Sequence, residues 1–593
     1  MGTHQPQPQP QPQHQGTWVR SDLRRALQTC RTSFWSVGFF SFFINLLLLV
    51  PSIYMLQVYD RVLSSGSEST LLMLTLIAVF LFIVMGGLEW VRTQILIVTS
   101  ARLDSLLGGR VFDAVFAQSL ASGGRISSAQ PLTDLLQIRQ FLTGPGLFAF
   151  FDAPWFPVYL GMMFLFHPVF GAVGLISAFV LAGLAVWNEA ATRKHLQEAN
   201  RHAMESNQFT QRNLRNAEVI EAMGMLPRMR TRWQDKQTLL LELQTQASAK
   251  GGLIAALSKT YRLTVQSLIL GLGAYLAIHR EITPGLVIAG SILLGRALAP
   301  LDLMISTWRG FSQARAAYQR LDELLSAAPY REPPMPLPAP RGEILLESAV
   351  VQPPGASAPV LKGISLRIEP GTALGVIGAS ASGKSTLLRA ILGLYPVSQG
   401  AIRLDGAETT QWDREALGNY IGYLPQDVEL LDGSIGENIA RFGTVDPDRV
   451  VAAARAAGIH DMILRLPEGY DTKILGHGNI LSAGQQQRLG LARALFGDPK
   501  LVILDEPNSN LDQEGENALV AALAELKRKG CTVIVVTHRK SLLSQVDKIV
   551  LLAEGLVAVS GPRDQVLASL QNSTPRPAGG LRPVAAAPVH NPS

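Results

Sequence analysis

Between Arg31 and Asp60 there is no charged side chain at all. Within that interval, FWSVGFFSFFINLLLLVPSIYML is long enough as a helix to cross roughly 30 Å of hydrocarbon. Such a run is at home in lipid, where every backbone polar group must be satisfied inside its own helix. A second run, TLLMLTLIAVFLFIVMGGL, lies between Glu68 and Glu89. From Ala153 to Asn188 there is again no Asp, Glu, Lys or Arg. That stretch is too long for one span, and His167-Pro168 at its middle predicts the turn between two. Residues 261–279 and about 284–304 supply a fifth and a sixth, the last interrupted by Arg296 and Asp302. The reading is a six-span membrane domain.

Composition agrees. Charged residues are 17% of the 593, against a usual value of about 25%, and the deficit sits in these runs. The two cysteines, Cys30 and Cys531, exclude a disulfide framework and a cysteine-clustered zinc module. The formal net charge of +6 has a definite place. Segment 91–146 carries Arg92, Arg102, Arg110, Arg125 and Arg139, and segment 189–259 carries Arg212, Arg215, Arg228, Arg230 and Arg232 among others. The opposite loops hold only Arg61 and Arg280. Basic loops stay on the cytoplasmic side, so the N-terminus and everything after about residue 305 are expected there. The excess marks orientation and not a nucleic-acid partner.

The boundaries follow from composition. Residues 1–20 open on a Gln/Pro tract that cannot build a core and lacks the pattern of a signal or transit peptide. Residues 21–328 form the six-span domain, and 329–341, containing PYREPPMPLPAP, a Pro-rich linker. In 342–571, short β-branched runs (GEILLES, TALGVIG, LVILDE, CTVIVVTH) alternate with helical segments, the pattern of an α/β domain with a largely parallel sheet. Residues 572–593 read as a disordered tail. The long segments between spans are predicted to be helices that continue the spans into the cytosol.

Three motifs in the α/β part carry chemistry. GASASGKST (378–386) fits G-x-x-x-x-G-K-[ST] between a strand and a helix. Its backbone from Gly378 through Ala379, Ser380, Ala381, Ser382 and Gly383 can wrap a phosphate with N–H groups, and the helix N-terminus adds partial positive charge. Lys384 is placed to reach the β/γ-phosphates, with Ser385 as a Mg²⁺ ligand beside Thr386. In LVILDEP (501–507), Asp505 at the strand end is placed to hold Mg²⁺ or its water, and Glu506 to polarise the attacking water as general base. In LSAGQQQR (481–488), Ser482, Gly484 and Gln485 sit at a small-residue turn that opens a helix toward an anion.

The P-loop, LSAGQ, LDEP and His538 in VVTHR together resemble the ATPase domain of an ABC transporter. By that resemblance Gln426 in YLPQD senses Mg²⁺ and the membrane domain. Asp512 in SNLD belongs to the loop flanking ATP, and His538 contacts the γ-phosphate. LQVYDRVL (56–63), FLTGPGLFAFFDAPWFPVYL (141–160), FLFHPVFG (164–171) and LDEPNSNLD (504–512) are similar to type I secretion exporters, most of all the protease-exporting, PrtD-like group. The implied fold is an all-α, six-helix ABC exporter domain followed by an α/β P-loop ATPase domain. The implied function is ATP-driven export, across a bacterial inner membrane, of an unfolded protein with a C-terminal signal. A periplasmic adaptor and an outer-membrane channel are the implied partners, and the alternative is an ABC exporter of lipid, drug or peptide.

One chain has one P-loop and one LSAGQ, which in that fold face each other only across a two-fold homodimer. The helices about Asp134–Phe141 and Asn216–Met223 are expected to transmit the ATPase movement, and Asp152, Arg296 and Asp302 to line the path. Some features depart from the family pattern. The stretch ahead of the first span is too short for the peptidase-like domain of some relatives, so none is expected, and Ala483 stands where glycine is usual. His477 takes the place of a common Glu before the signature. The aromatic residue that stacks on adenine is missing, leaving Val351 to Pro354 to hold the base by apolar packing.

Overall fold

The computed structural model describes residues 22–124, 128–329, 334–474 and 481–572. The N-terminal tract, the C-terminal tail after 572 and His477 lie outside the described residues. The chain divides into two compact units, Met1–Gln118 with Ser127–Tyr330, and Ser119–Ile126 with Arg331–Ser593.

The first unit is helical. Six helices are long and apolar enough to cross a membrane: Arg31–Ser65, Glu68–Ala121, Pro145–Phe166, Pro168–Leu214, Leu226–Ile278 and Pro284–Ala327, here spans 1 to 6. Their ends follow local rules. Span 1 stops at Gly66, which takes a left-handed φ of 64°. His167 is extended, and its Nδ1 accepts the Val169 N–H at 3.3 Å, with Pro168 opening span 4. Thr283 caps span 6 in the same way ahead of Pro284. Spans 2, 4 and 5 run on for 54, 47 and 53 residues. At 1.5 Å per residue, span 2 reaches about 80 Å, far beyond the hydrocarbon. Most of segments 91–146 and 189–259 is therefore helical extension.

Spans 3 to 6 share a core that includes Tyr159, Met163, Phe170, Leu181, Ile269 and Leu293. Close approach there needs small residues: a Cβ at Gly290 would lie 2.6 Å from the Phe170 ring. Two of the charged residues expected on the path are spent on pairing. Asp152 accepts from Asn45 Nδ2 at 2.8 Å and pairs with Arg92 at 3.3 Å, while Asp302 pairs with Arg262 and accepts from Ser258 Oγ at 2.5 Å. Arg296 alone of the three is exposed. The expected transmitting stretch Asp134–Phe141 also turns out to be a packed element. It lies inside the helix Gln130–Thr143, burying Leu135 and Ile138, and the buried Asp134 takes two hydrogen bonds from the Arg320 guanidinium at 2.8 and 2.6 Å. The other stretch holds a separate short helix, Ala217–Ala222, in which Val219 is exposed, as is Met223 at its C-cap.

In the second unit, Pro334–Ala339 is exposed and without regular structure. The strands that follow are β1 (Ile344–Val351), β2 (Leu361–Ile368), β3 (Ala373–Gly378), β4 (Val397–Leu404), β5 (Ala407–Glu408), β6 (Ile421–Leu424), β7 (Gly433–Ser434), β8 (Lys473–Ile474), β9 (Leu501–Asp505), β10 (Thr532–Val536), β11 (Lys548–Ala553) and β12 (Leu556–Pro562). One sheet has the order β2-β1-β4-β5 and is antiparallel. The larger has the order β12-β11-β3-β10-β9-β6, with the run β11 to β6 parallel. β3, β9 and β10 are buried throughout, as strands covered on both faces must be. The helices that bear on the site are α1 (Lys384–Ile391), α2 (Ala483–Leu495) and α3 (Gln513–Arg528).

Candidate nucleotide and metal site

Strand register builds the site. Val536 of β10 stands beside Val376 of β3 and Asp505 of β9, and Leu504 of β9 beside Leu424 of β6. The residues just beyond these rungs therefore emerge along one edge: the P-loop after β3, His538 after β10, Asp505 and Glu506 at the end of β9, and Gln426 after β6. The carboxyl edge of a parallel sheet is where ligands of α/β folds bind.

The P-loop is a tight wrap between β3 and α1. Gly378, Ala381 and Gly383 have φ of 155°, 64° and 103°, which turns successive N–H groups toward one centre. At Gly378 any Cβ would lie 2.3 Å from the Leu552 carbonyl oxygen. Lys384 is buried, and its Nζ donates to the carbonyls of Gly378 and Ala379 at 2.8 and 3.0 Å. Ser382 Oγ is buried without a partner, while Ala379 and Ser380 are exposed and Ser385 and Thr386 half-buried. The first N–H groups of α1 have no partner within the helix, so the loop and the helix start offer donors to an anion.

Asp505 is buried, and its Oδ1 has no hydrogen-bond partner. Burial and then the neighbouring Glu506 charge push its carboxyl above the usual range, against the Ser385 hydroxyl bond and the more distant Arg389 and Lys384. A buried, unsatisfied carboxylate oxygen beside a serine hydroxyl suits Mg²⁺, which takes one or two protein oxygens and fills its shell with phosphate and water. No cluster of three or more His, Cys, Asp or Glu able to hold a metal occurs among the described residues. Glu506 has a left-handed φ of 50° and accepts from Gln426 Nε2 at 3.3 Å, so the proposed base and the Gln426 amide already meet.

The signature residues stand elsewhere in the unit. Ser482 is the N-cap of α2 and forms a reciprocal capping box with Gln485, with Gln485 N–H to Ser482 Oγ at 3.3 Å and Ser482 N–H to Gln485 Oε1 at 2.8 Å. Ser482 is exposed, and Gly484 runs so close to Asn510 that a Cβ would be 2.7 Å from its carbonyl oxygen. Asp512 caps α3, accepting the Gly515 N–H at 2.8 Å. His538 is exposed. Val351 is fully buried in its sheet, so it has no face for adenine; of that stretch Pro353 and Pro354 remain half-exposed.

Sequence reading missed the residues that tie these loops together. Thr537 Oγ1 donates to Asn508 Oδ1 at 3.0 Å, joining the β10 and β9 ends. Buried Gln487 donates to the Pro507 carbonyl at 3.1 Å and accepts from Asn510 Nδ2 at 3.3 Å. The two asparagines of NSN were the only signal, since polar side chains after an apolar strand need partners.

The family model of the ABC transporter transmembrane region matches residues 34–299, and that of the ABC transporter matches 361–509. A type I secretion system ATP-binding protein, PrsD of Rhizobium meliloti, is 45% identical over 92% of this chain and 94% of its own. The chain belongs to the ABC transporters of type I secretion systems. This transporter also shares 30% identity, over 89% of its length and 75% of theirs, with the RTX-I toxin translocation ATP-binding protein of Actinobacillus pleuropneumoniae and the alpha-hemolysin translocation protein HlyB of Escherichia coli. The fold is that of a bacterial Atm1-family ABC exporter solved with ATP bound, at a TM-score of 0.76 and 20% identity, covering 93% of this chain and 99% of that one. The transporter is a multi-pass membrane protein and an ATP-driven exporter. It hydrolyses ATP, with Mg²⁺ as the nucleotide's partner.

Proposed function

We infer that the transporter works as a homodimer in a bacterial inner membrane, with its N-terminus and ATPase units in the cytoplasm. Its cargo is an unfolded protein with a C-terminal signal, passed to a periplasmic adaptor and an outer-membrane channel. The cargo class is supported by the relatives, whose names are those of secretion and toxin translocation proteins. The hydrolytic part is carried by one observation, the strand register that aligns the P-loop, Asp505, Glu506 and Gln426 on a single edge.

In this reading Gly378–Thr386 of one copy faces Ser482–Gln485 of the other, so ATP binds the closed dimer far better than the open one. That differential affinity is what moves the equilibrium, and two-fold pairing is the commonest symmetry for such a device. Lys384 leaves the carbonyls of Gly378 and Ala379 for the β/γ-phosphates. Ser385, Asp505 and Gln426 would hold Mg²⁺, which would supply positive charge at the phosphate oxygens. Glu506 takes the proton of the attacking water, and His538 and Asp512 contact the phosphate and its flank. Loss of the γ-phosphate reopens the dimer, and the helix Ala217–Ala222 carries the movement to the spans.

The test is secretion in a Gram-negative host supplied with the transporter, the adaptor, the channel and the protein encoded beside them. Cargo in the medium that depends on every component, and is lost with Glu506→Gln, supports the reading. Export unaffected by Glu506→Gln refutes it, and ATPase activity stimulated by lipid or drug but indifferent to cargo favours the alternative.

A further inference from the structure

Arg441 holds a backbone that a side chain rarely adopts. Its φ is 57°, and the next residue, Phe442, has 58°. Non-glycine residues in the left-handed region are uncommon, and two in a row persist only where the surroundings over-determine them. The surroundings here are five carbonyl oxygens. Arg441 Nε donates to Arg493 O at 2.9 Å, and Nη2 to Ala494 O and Phe496 O at 3.2 Å each. Nη1 donates to Gly418 O at 2.6 Å and Ile421 O at 2.9 Å. A guanidinium has five N–H donors in a fixed fork, and every acceptor here is main chain.

These carbonyls belong to two elements with functional residues at their far ends. Arg493, Ala494 and Phe496 close the C-terminal end of α2, whose N-terminal end carries Ser482 to Gln485. Gly418 and Ile421 lead into β6, which ends two residues before Gln426. The last carbonyls of a helix lack partners within it, and Arg441 satisfies them while tying them to the strand.

The two elements also pack along their length. A Cβ at Gly422 of β6 would be 2.2 Å from Ala494 O, and one at Gly490 of α2 would be 2.7 and 2.9 Å from side-chain atoms of Val428 and Leu424. Arg493 adds a hydrogen bond from Nη2 to Glu429 O at 3.2 Å. The helix, the strand and the segment after Gln426 are thus one body, fastened at its base by a single side chain.

We propose that Arg441 is a positioning residue for ATP hydrolysis: it locks the helix bearing the LSAGQ turn to the strand leading to Gln426. This rests on the two-site dimer proposed above. Gln426 touches Glu506 of its own site, while Ser482–Gln485 serve the site across the dimer. A rigid link between them makes the state of one site felt at the other, so Arg441 sets the coupling between the two ATP sites. It lies outside the P-loop and has no part in first capture of nucleotide.

The experiment compares the full-length transporter with its Arg441→Gln and Arg441→Lys variants in lipid nanodiscs, using ATP and a fluorescent ATP analogue as probes. The expected result for Arg441→Gln is a kcat at least 10-fold lower and a Hill coefficient for ATP near 1. The dissociation constant of the analogue should stay within about 3-fold of wild type. Arg441→Lys, which has three donors for five carbonyls, should fall between, and it carries the test if Arg441→Gln does not accumulate. A purely structural role would lower binding capacity and activity together and leave the Hill coefficient alone, and that outcome overturns the proposal. So does a wild-type kcat and Hill coefficient in both variants. A wild-type transporter without ATP cooperativity would instead overturn the two-site reading itself.

Discussion

Replacing Gly378 by alanine tests how the P-loop is held. Its φ of 155° belongs to a region used almost solely by glycine, and side chains forced into such conformations cost on the order of 1–3 kcal/mol. The added Cβ would also sit 2.3 Å from Leu552 O and 2.7 Å from Ser382 Oγ. An ordinary carbon–oxygen contact is about 3.3 Å or longer, so something must retreat by roughly 1 Å. Leu552 is the β11 residue paired with Gly378, and its retreat would open the last rung beside the loop. Overpacking of this kind adds about 1–3 kcal/mol. The strain is relieved by displacing the loop, and a displacement costing 1.4 kcal/mol in phosphate contacts is already tenfold in affinity. Gly378→Ala should therefore bind ATP at least about tenfold more weakly, read by fluorescent-nucleotide titration of the purified transporter. Gly406→Ala is the control. Gly406 also has a positive φ, 84°, but nothing lies within 4 Å of its added Cβ, in the β4–β5 turn. It should lose some stability and keep its ATP affinity. Wild-type affinity in Gly378→Ala, or an equal loss in Gly406→Ala, would refute the steric argument.

Further outcomes follow from two buried carboxylates. Asp134→Ala leaves Arg320 without its partner. Breaking a buried pair costs about 3–5 kcal/mol, reduced to about 2 kcal/mol because the Arg320 side chain is 33% exposed. The thermal midpoint should drop by several degrees, and an unchanged midpoint would contradict the packing described. Asp505, held above the usual carboxyl range by burial and by Glu506, keeps a proton that the unfolded chain has released. Stability of the nucleotide-free protein should then fall as pH rises from the ordinary carboxyl value to the raised one. Mg²⁺ competes with that proton, so apparent Mg²⁺ affinity should rise with pH over the same window. Calorimetry in buffers of different ionisation enthalpy would detect the released proton, and Asp505→Asn should abolish it.

The parts legible in the sequence were those that a short stretch determines by itself. The charge-free runs marked four of the six spans directly; the fifth, which holds Arg262, and the sixth, which holds Arg296 and Asp302, were legible from their remaining apolar residues, and both are continuous helices. The P-loop, LSAGQ and LDEP were readable because their backbone needs fix residue types at fixed spacing. What stayed hidden depends on which elements become neighbours. Nothing in IARFG shows that Arg441 meets five carbonyls from two other segments, nor that Thr537 meets Asn508. The pairing of Asp152 with Arg92 and of Asp302 with Arg262 was hidden because the partners lie on other helices. Val351 looked free for adenine because alternation along β1 does not reveal that its end is covered.

The central claim is that paired copies enclose ATP and use Glu506 to hydrolyse it. Full-length Glu506→Gln protein, supplied with ATP and Mg²⁺, should lose at least about 100-fold in turnover, the share a positioned general base contributes. It should also accumulate as a dimer retaining one unhydrolysed ATP per chain, counted by native mass and nucleotide extraction. Wild-type turnover, or a nucleotide-loaded species that stays monomeric, would contradict the account.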